Sequence, residues 1–144
     1  MLIGISKLIS PELLKVLSEM GHGDEIVLAD GNFPAASHAQ RLIRADGHGA
    51  TELLDAILQL FPLDQYVAKP VVLMQVNPGD PVQTPIWDEY RAIIKERTGL
   101  EESVEELERF AFYERAKRAY AVIATGESAL YANLILKKGV IAEK

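Results

Sequence analysis

The stretch RFAFYERAKRAYAVIATGESALYANLILKKG, from Arg109 to Gly139, contains the longest uninterrupted series of helix and strand signals in the chain. Its first part has apolar residues at roughly helical spacing with charged residues between them, which predicts a helix: Phe110, Phe112, Ala116, Ala119 and Tyr120. The aromatic and β-branched run Tyr120–Ala124 predicts a short buried strand that ends at Thr125 and Gly126. A second apolar run, Leu134–Leu136, predicts another strand. A helix, a strand, a turn and a second strand therefore form the frame of the predicted fold.

The rest of the chain repeats this alternation of helices and strands. Ser10 and Pro11 predict a helix start, and Gly21 is expected to end that helix in the left-handed conformation. Five further segments have helix or strand patterns: strands at Glu25–Ala29, Arg41–Ala45 and Val71–Val76, a helix capped by Thr51 and stopped by Pro62, and a helix at Pro85–Arg97. The sequence Asn77–Asp80 predicts a turn. The acidic run Glu101–Glu108 is interpreted as a solvated helical or loop face.

This alternation predicts an α/β fold, namely a three-layer, mostly parallel open sheet with helices on both faces. The whole chain, residues 1–144, is expected to form one domain. In such folds ligands bind outside the carboxyl ends of the strands. Asp30 and Asn77 each follow a predicted strand and lie at such ends. Tyr131 and Asn133, two residues apart on a predicted strand, are expected to project to the same face.

The composition argues against several classes of protein. The net charge of −6 argues against nucleic acid as the main partner, because phosphate binding needs a basic face. The chain has no cysteine, which excludes disulfides, a thiol nucleophile and a cysteine-based zinc site. No run approaches the ~20 apolar residues that span a bilayer. The N-terminal segment is broken by Lys7 and Pro11 and does not match a signal peptide. We therefore expect a soluble, cytoplasmic protein.

Two residues near the first strand are candidates for chemistry, and each has a plainer interpretation. His22 lies between two glycines just past a helix end, where its imidazole is expected to be exposed. An ordinary surface-loop histidine would have the same surroundings. Asp30 precedes Gly31, and Asp-Gly is common in plain turns, as at Asp46-Gly47. The sequence at these positions does not decide between a site and a loop.

The other candidates lie in the stretch that opens this section. Arg109 borders the acidic run, so a surface ion pair is the plain alternative to a ligand contact. Tyr131 and Asn133 are compatible with a simple strand, although a buried asparagine needs partners for its amide. His38 and His48 are interpreted as incidental, and the three histidines have no metal-ligand spacing. No phosphate-binding loop, dinucleotide fingerprint or nucleophile elbow is present, so spacing alone predicts no function.

Longer strings of sequence add a resemblance to a known family. The chain closely resembles the ribose pyranase / L-fucose mutarotase family, and within it the fucose mutarotase branch. The matching strings are LISPELLKVLSEMGHGDEIVLAD (8–30), NFPAAS (32–37), IRADG (43–47), RFAFYERAKRAYAVIATGE (109–127) and YANLILKKGV (131–140). Residues 77–107 are not matched. The resemblance covers most of the chain, and its motifs are long and specific.

The resemblance implies a role for individual residues. His22, in the GHGDE motif, corresponds to the proton donor of the family. The residues that correspond to sugar contacts are Asp30, Arg109, Tyr131, Ala132 and Asn133. Tyr131 is expected to stack on the apolar face of the sugar or to donate to its ring oxygen. Family members usually have glycine where this chain has Ala132, and alanine disfavours a positive φ, so the contact of residue 132 depends on its backbone conformation.

The activity that the resemblance implies is interconversion of the α and β anomers of L-fucose or a close relative. Opening the hemiacetal ring removes a proton from the anomeric hydroxyl and delivers one to the ring oxygen, and histidine can do both near neutral pH. No metal or organic cofactor is required. The family forms ring-shaped homo-oligomers, often decamers, with the sugar site near a subunit contact. Two alternatives remain open: a pyranase that interconverts pyranose and furanose forms of ribose, and a non-catalytic sugar-binding protein.

One geometric difficulty accompanies this assignment. His22 and Asp30 flank a predicted strand of five residues, which at about 3.3 Å per residue is roughly 17 Å long. Both can reach one small sugar only if the loop at Gly21–Gly23 folds back along the sheet or if His22 comes from a neighbouring subunit. We favour the neighbouring subunit, because it makes the oligomer part of the site.

Overall fold

A computed structural model describes residues 1–143, which contain five helices and six strands. The helices are α1 (Pro11–Glu19), α2 (Ala35–His38), α3 (Ala50–Leu58), α4 (Pro85–Thr98) and α5 (Arg109–Arg118). The strands are β1 (Glu25–Ala29), β2 (Leu42–Ala45), β3 (Val71–Met74), β4 (Val104–Leu107), β5 (Ala121–Thr125) and β6 (Leu134–Lys137). No helix among residues 1–143 is both long enough and apolar enough to cross a membrane.

The six strands form one sheet in the order β2-β5-β1-β6-β3-β4. The pairs β1–β5, β2–β5 and β3–β4 are parallel, whereas β6 is antiparallel to both β1 and β3. Five strands therefore run in one direction, which confirms the predicted mostly parallel sheet, and β6 alone is reversed. The reason is local: residues 126–133, between β5 and β6, contain no helix, and a parallel return needs a long crossover connection.

Helices cover both faces of the sheet, as predicted. One apolar core packs α1, α3 and α4 against the sheet, and the second packs α2 and α5 against the opposite face. Strand β1 shows the alternation clearly, because Ile26 and Leu28 enter the first core and Val27 and Ala29 enter the second. All four of these side chains are fully buried. The chain thus has the three layers that the sequence indicates.

The start of α3 and the end of α1 differ from their predictions. Helix α3 begins at Ala50 rather than after Thr51, because the Glu127 carboxylate accepts the Ala50 backbone N–H at 3.0 Å and so caps the helix from another part of the chain. Gly21 does not adopt a left-handed conformation, since the C-cap of α1 is Met20 in an extended conformation. The Lys138 ammonium donates to the Met20 carbonyl instead, at 2.5 Å.

The acidic run also differs from its interpretation. Its side chains at Glu105 and Glu106 are exposed as expected, but the backbone of Val104–Leu107 forms the edge strand β4 and pairs with β3. Charged side chains on an edge strand discourage pairing with another sheet. Helix α5 follows at once, so β4 delivers Arg109 to the carboxyl edge of the sheet.

Candidate active site

A cleft opens at the edge of the sheet where the five parallel strands end. It has a volume of about 290 Å³, near the lower limit for small-molecule sites. Four residues predicted as sugar contacts line it: Asp30, Arg109, Tyr131 and Asn133. They converge because β1 and β4 end at this edge, whereas the reversed strand β6 begins there. Residues on three separate segments of the chain therefore meet in one recess.

Asp30 is the most buried acid of the cleft, with 5% of its surface exposed. Its Oδ1 accepts the Asn32 backbone N–H at 3.0 Å, and its Oδ2 accepts the Ala132 N–H at 3.3 Å. Burial raises the pKa of this carboxyl above its usual value, and the two backbone donors oppose that effect. Asp30 is thus a fixed acceptor whose negative charge is poorly solvated. A ligand hydroxyl that donates to this carboxylate would stabilise the charge.

Asn133 lies beside Asp30, with 4% of its surface exposed. Its Oδ1 accepts the Asp30 backbone N–H at 2.8 Å, so the amide orientation is fixed by an unambiguous donor. The Asn133 side chain also interacts with the Asp30 carboxyl, and this contact opposes the rise in pKa that burial causes. The oxygen is occupied, but the NH₂ group has two hydrogens and can donate into the cleft as well as towards Asp30.

Tyr131 has a left-handed backbone with φ of 55°, which is unusual for a residue other than glycine. It precedes β6 rather than lying in it, so the prediction that Tyr131 and Asn133 project from one strand is wrong. The Trp87 indole N–H donates to the Tyr131 carbonyl at 2.7 Å, and the Tyr131 hydroxyl donates to Asp80 Oδ2 at 2.7 Å. The hydrogen bond to Asp80 raises the pKa of the phenol. These contacts hold a conformation that costs about 1–3 kcal/mol.

Ala132 is completely buried and supports the cleft from behind. Its N–H donates to Asp30, and its carbonyl accepts the buried Tyr90 hydroxyl at 2.7 Å. The positive φ of this segment is at Tyr131 and not at residue 132, so alanine in place of the usual glycine introduces no backbone strain.

Arg109 is exposed at the first position of α5. Its Nε donates to the Tyr113 hydroxyl at 3.0 Å, and this contact raises the pKa of the guanidinium further. No carboxylate within residues 1–143 lies at ion-pair distance from Arg109, so the surface ion pair with the acidic run does not form. The two terminal nitrogens of the guanidinium remain available to donate to a ligand.

His22 lies at the opposite edge of the sheet, before the start of β1, and is not part of the cleft. Its Nε2 is 3.0 Å from Asp64 Oδ1, with side-chain exposures of 45% for His22 and 3% for Asp64. The Tyr66 ring packs against the imidazole at 5.2 Å between centroids. The Tyr66 backbone N–H, and then His22, hold the pKa of Asp64 below its usual value. His22 is therefore an exposed imidazole paired with an ionised carboxylate.

Sequence reasoning missed several cleft residues. Phe33, Met74, Asp80 and Tyr113 line the cleft, and Asp64 pairs with His22. Asn77, which the sequence placed at a strand end, lines the cleft too. The turn that includes Asp80 could be recognised in the sequence, but the side chain that Asp80 contacts could not. Among residues 1–143 there is no group of three or more metal-ligating side chains.

Comparison with known proteins identifies the family of the chain and several close relatives. Residues 3–141 match the RbsD / FucU transport protein family. The human protein named fucose mutarotase is 56% identical over 145 residues, covering 96% of this chain and 94% of its own. A fucose mutarotase from Streptococcus pneumoniae, crystallised in complex with L-fucose, is 55% identical with a TM-score of 0.94, covering 98% of this chain and all of its own. FucU from Bifidobacterium longum is 61% identical, also with a TM-score of 0.94, covering 96% and 99%.

Proposed function

This chain belongs to the RbsD / FucU transport protein family, and we propose that it is an L-fucose mutarotase, an isomerase that interconverts the α and β anomers of L-fucose. The observation that supports this most directly is the cleft at the carboxyl edge of the sheet. It combines a buried acceptor at Asp30, a fixed donor at Asn133 and a cation at Arg109. Relatives named for this activity share more than half of the sequence.

The three polar groups suit a monosaccharide, whose hydroxyls each donate and accept. Asp30 accepts from sugar hydroxyls, Asn133 donates through its NH₂ group, and Arg109 donates to one or two sugar oxygens. Phe33 and Met74 add apolar surface for the non-polar face or the methyl group of fucose. The cleft thus places polar groups for the sugar hydroxyls next to apolar surface for its non-polar face.

The cleft itself has no histidine, and ring opening needs a group that gives and takes a proton near neutral pH. We propose that His22 of a neighbouring subunit fills this role. The proton of the anomeric hydroxyl leaves, the bond between C1 and the ring oxygen breaks, and the ring oxygen takes up a proton. Closure on the other face of the aldehyde reverses these steps and gives the second anomer.

Asp64 supports this role because it determines which ring nitrogen of His22 can exchange a proton with the sugar. An ionised carboxylate only accepts, so His22 Nε2 carries the hydrogen that it donates to Asp64. The other ring nitrogen, Nδ1, is then free to exchange a proton with the sugar.

The test of function is saturation transfer between the anomeric protons of L-fucose, with D-ribose, L-rhamnose and D-galactose alongside. We expect the largest acceleration for L-fucose. Faster pyranose–furanose exchange of ribose would favour the pyranase alternative. Binding without accelerated exchange would favour a sugar-binding protein.

The test of His22 is the variant His22→Ala, which should lose the exchange rate and keep its affinity for L-fucose. His48→Ala is the matched control, because His48 is also exposed and also lies near an acid, Glu52. A fully active His22→Ala variant would contradict the assignment.

The test of the neighbouring-subunit arrangement is co-expression of His22→Ala with Asn133→Ala. If His22 acts across a subunit contact, mixed oligomers combine an intact cleft with an intact histidine at about a quarter of their sites. If each chain uses its own His22, the mixture stays inactive. A fully dissociated monomer that retained activity would refute the arrangement. The ring-shaped, decameric assembly and the cytoplasmic location stay predictions.

A further inference from the structure

The turn between β3 and α4 brings a second carboxylate, Asp80, to the cleft. The turn is Asn77–Asp80, closed by the Asp80 N–H donating to the Asn77 carbonyl at 3.0 Å. Gly79 has φ of +87°, which glycine adopts without strain. Asp80 Oδ1 accepts the Val82 N–H at 3.3 Å, so the side chain is held by its own loop. The carboxylate is therefore fixed before any partner reaches it.

The partner of this carboxylate is the hydroxyl of Tyr131. The phenol donates to Asp80 Oδ2 at 2.7 Å and accepts the Asn77 N–H at 3.4 Å. A phenol has one hydrogen, and here it is directed at Asp80. Tyr131 can therefore meet a sugar through its remaining oxygen lone pair, as an acceptor, or through its ring. The expectation that Tyr131 donates to the ring oxygen would require breaking the contact with Asp80.

The contact also bears on the backbone of Tyr131. A left-handed φ at a residue other than glycine persists only where several contacts fix it. The Trp87 indole donates to the backbone carbonyl of Tyr131, and Asp80 accepts from the hydroxyl at the end of the Tyr131 side chain. Both ends of the residue are therefore fixed. Without Asp80 the phenol would have the Asn77 N–H as its remaining protein contact among residues 1–143.

We propose that Asp80 is a positioning residue for the sugar site: it fixes the side chain and backbone of Tyr131 and orients the phenol as a hydrogen-bond acceptor. This inference rests on the proposed function, because it takes Tyr131 as a sugar contact. It assigns a role to the segment of residues 77–107, for which the sequence strings gave no match.

The first test compares Asp80→Ala with Asp80→Asn for L-fucose exchange. We expect Asp80→Ala to raise KM by about tenfold or more, the effect of one hydrogen bond to a charged group, with kcat changed little. Asp80→Asn retains an oxygen that can accept from the phenol and should recover most of that loss. Glu96→Gln, an exposed acid on α4, is the control and should behave like the parent. Equal losses in Asp80→Ala and Asp80→Asn would overturn the positioning role.

The second test asks whether Asp80 acts through Tyr131. In a Tyr131→Phe background, Asp80→Ala should cause no further rise in KM, because the hydroxyl that Asp80 holds is already absent. A full additional effect would mean that Asp80 contacts the sugar directly or acts elsewhere.

The third test needs no sugar and separates this inference from the proposed function. Titration of the Tyr131 phenol, followed by NMR with Tyr131→Phe for assignment, should show a lower pKa in Asp80→Ala than in the parent. If the pKa of Tyr131 is the same in Asp80→Ala as in the parent, the inference is overturned even if the parent is an active mutarotase. If the pKa of Tyr131 falls in Asp80→Ala but the parent exchanges no sugar anomers, the contact between Asp80 and Tyr131 is supported and the proposed function is refuted.

Discussion

Asn133→Asp replaces one NH₂ group by one oxygen and should nevertheless disable the site. The side-chain oxygen that accepts the Asp30 N–H at 2.8 Å can remain in place. The donor that faces the cleft is lost, and a second carboxyl is placed beside Asp30, whose own pKa is already raised by burial. Both changes act within a side chain that is 4% exposed.

The size of the effect follows from that burial. An uncompensated buried charge costs roughly 3–5 kcal/mol. For a chain of this length each kcal/mol lowers Tm by about 2–4 °C, so we expect a loss of about 10 °C near pH 8. The new carboxyl should have a raised pKa in the folded state. Below the pKa of this carboxyl in the unfolded chain, the substitution therefore costs no stability through its charge. The loss of unfolding free energy grows as the pH rises through the pKa of the carboxyl in the folded state.

The assay follows Tm by circular dichroism and L-fucose exchange by NMR, each at about pH 5 and pH 8. Near pH 8 we expect the kcat/KM of Asn133→Asp to fall by about a hundredfold or more, since a donor is replaced by a buried charge. Near pH 5 the protonated carboxyl can donate again, so both stability and activity should partly recover. Asn32→Asp, the same change at an exposed neighbour, should show little change in Tm. A Tm difference that does not depend on pH would refute the reasoning.

Three further predictions concern other parts of the site. Asp64→Asn should lower the exchange rate of L-fucose and leave its affinity unchanged, because an amide can donate as well as accept and no longer fixes which ring nitrogen of His22 carries the hydrogen; an unchanged kcat would contradict the role of the His22–Asp64 pair. Tyr90→Phe leaves the buried Ala132 carbonyl without its donor, so the free energy of unfolding in urea should fall by about 1–3 kcal/mol; no loss would contradict the contact. The folded pKa of Asp30 lies above the unfolded value, so its stabilising contribution is present below the unfolded pKa and is lost as the pH rises through the folded one. The stability of Asp30→Asn relative to the parent should therefore increase from about pH 3 to pH 7 in urea titrations, and a flat difference would contradict the raised pKa.

The layered fold could be predicted because its determinants are local. The continuous apolar run within Glu25–Ala29 and the helix start at Ser10-Pro11 are readable within a few residues, and both elements form as expected. The position of Asp30 at a strand end was predicted for the same reason. The reversal of β6 was not, because it depends on the absence of a helix in residues 126–133 and on which strand β6 then meets.

The parts of the site that could not be predicted depend on contacts between distant segments. Nothing near Asp80 in the sequence indicates that it meets Tyr131, which lies 51 residues later. Likewise Asp64 is 42 residues from His22. The left-handed conformation of Tyr131 is set by Trp87 and Asp80, and its neighbours in sequence gave no sign of it. Local patterns therefore placed Asp30 at a strand end and the family resemblance supplied the set of site residues, whereas tertiary contacts determined which groups in the cleft can donate.

The reversed strand β6 has a consequence for how many sites an assembly can contain. It starts directly after the cleft residue Asn133 and ends where the Lys137 carbonyl accepts the Asp64 N–H, next to the His22 pair. Each subunit thus has the cleft at one edge and, at the other, the histidine that is proposed as the proton donor. In an open row of subunits joined by the proposed pairing, the first and last members would each leave one of these halves unused. A closed assembly, whether a ring or a reciprocal two-fold dimer, would give every cleft a histidine, so under the proposed pairing activity per subunit should reach its maximum when the assembly closes.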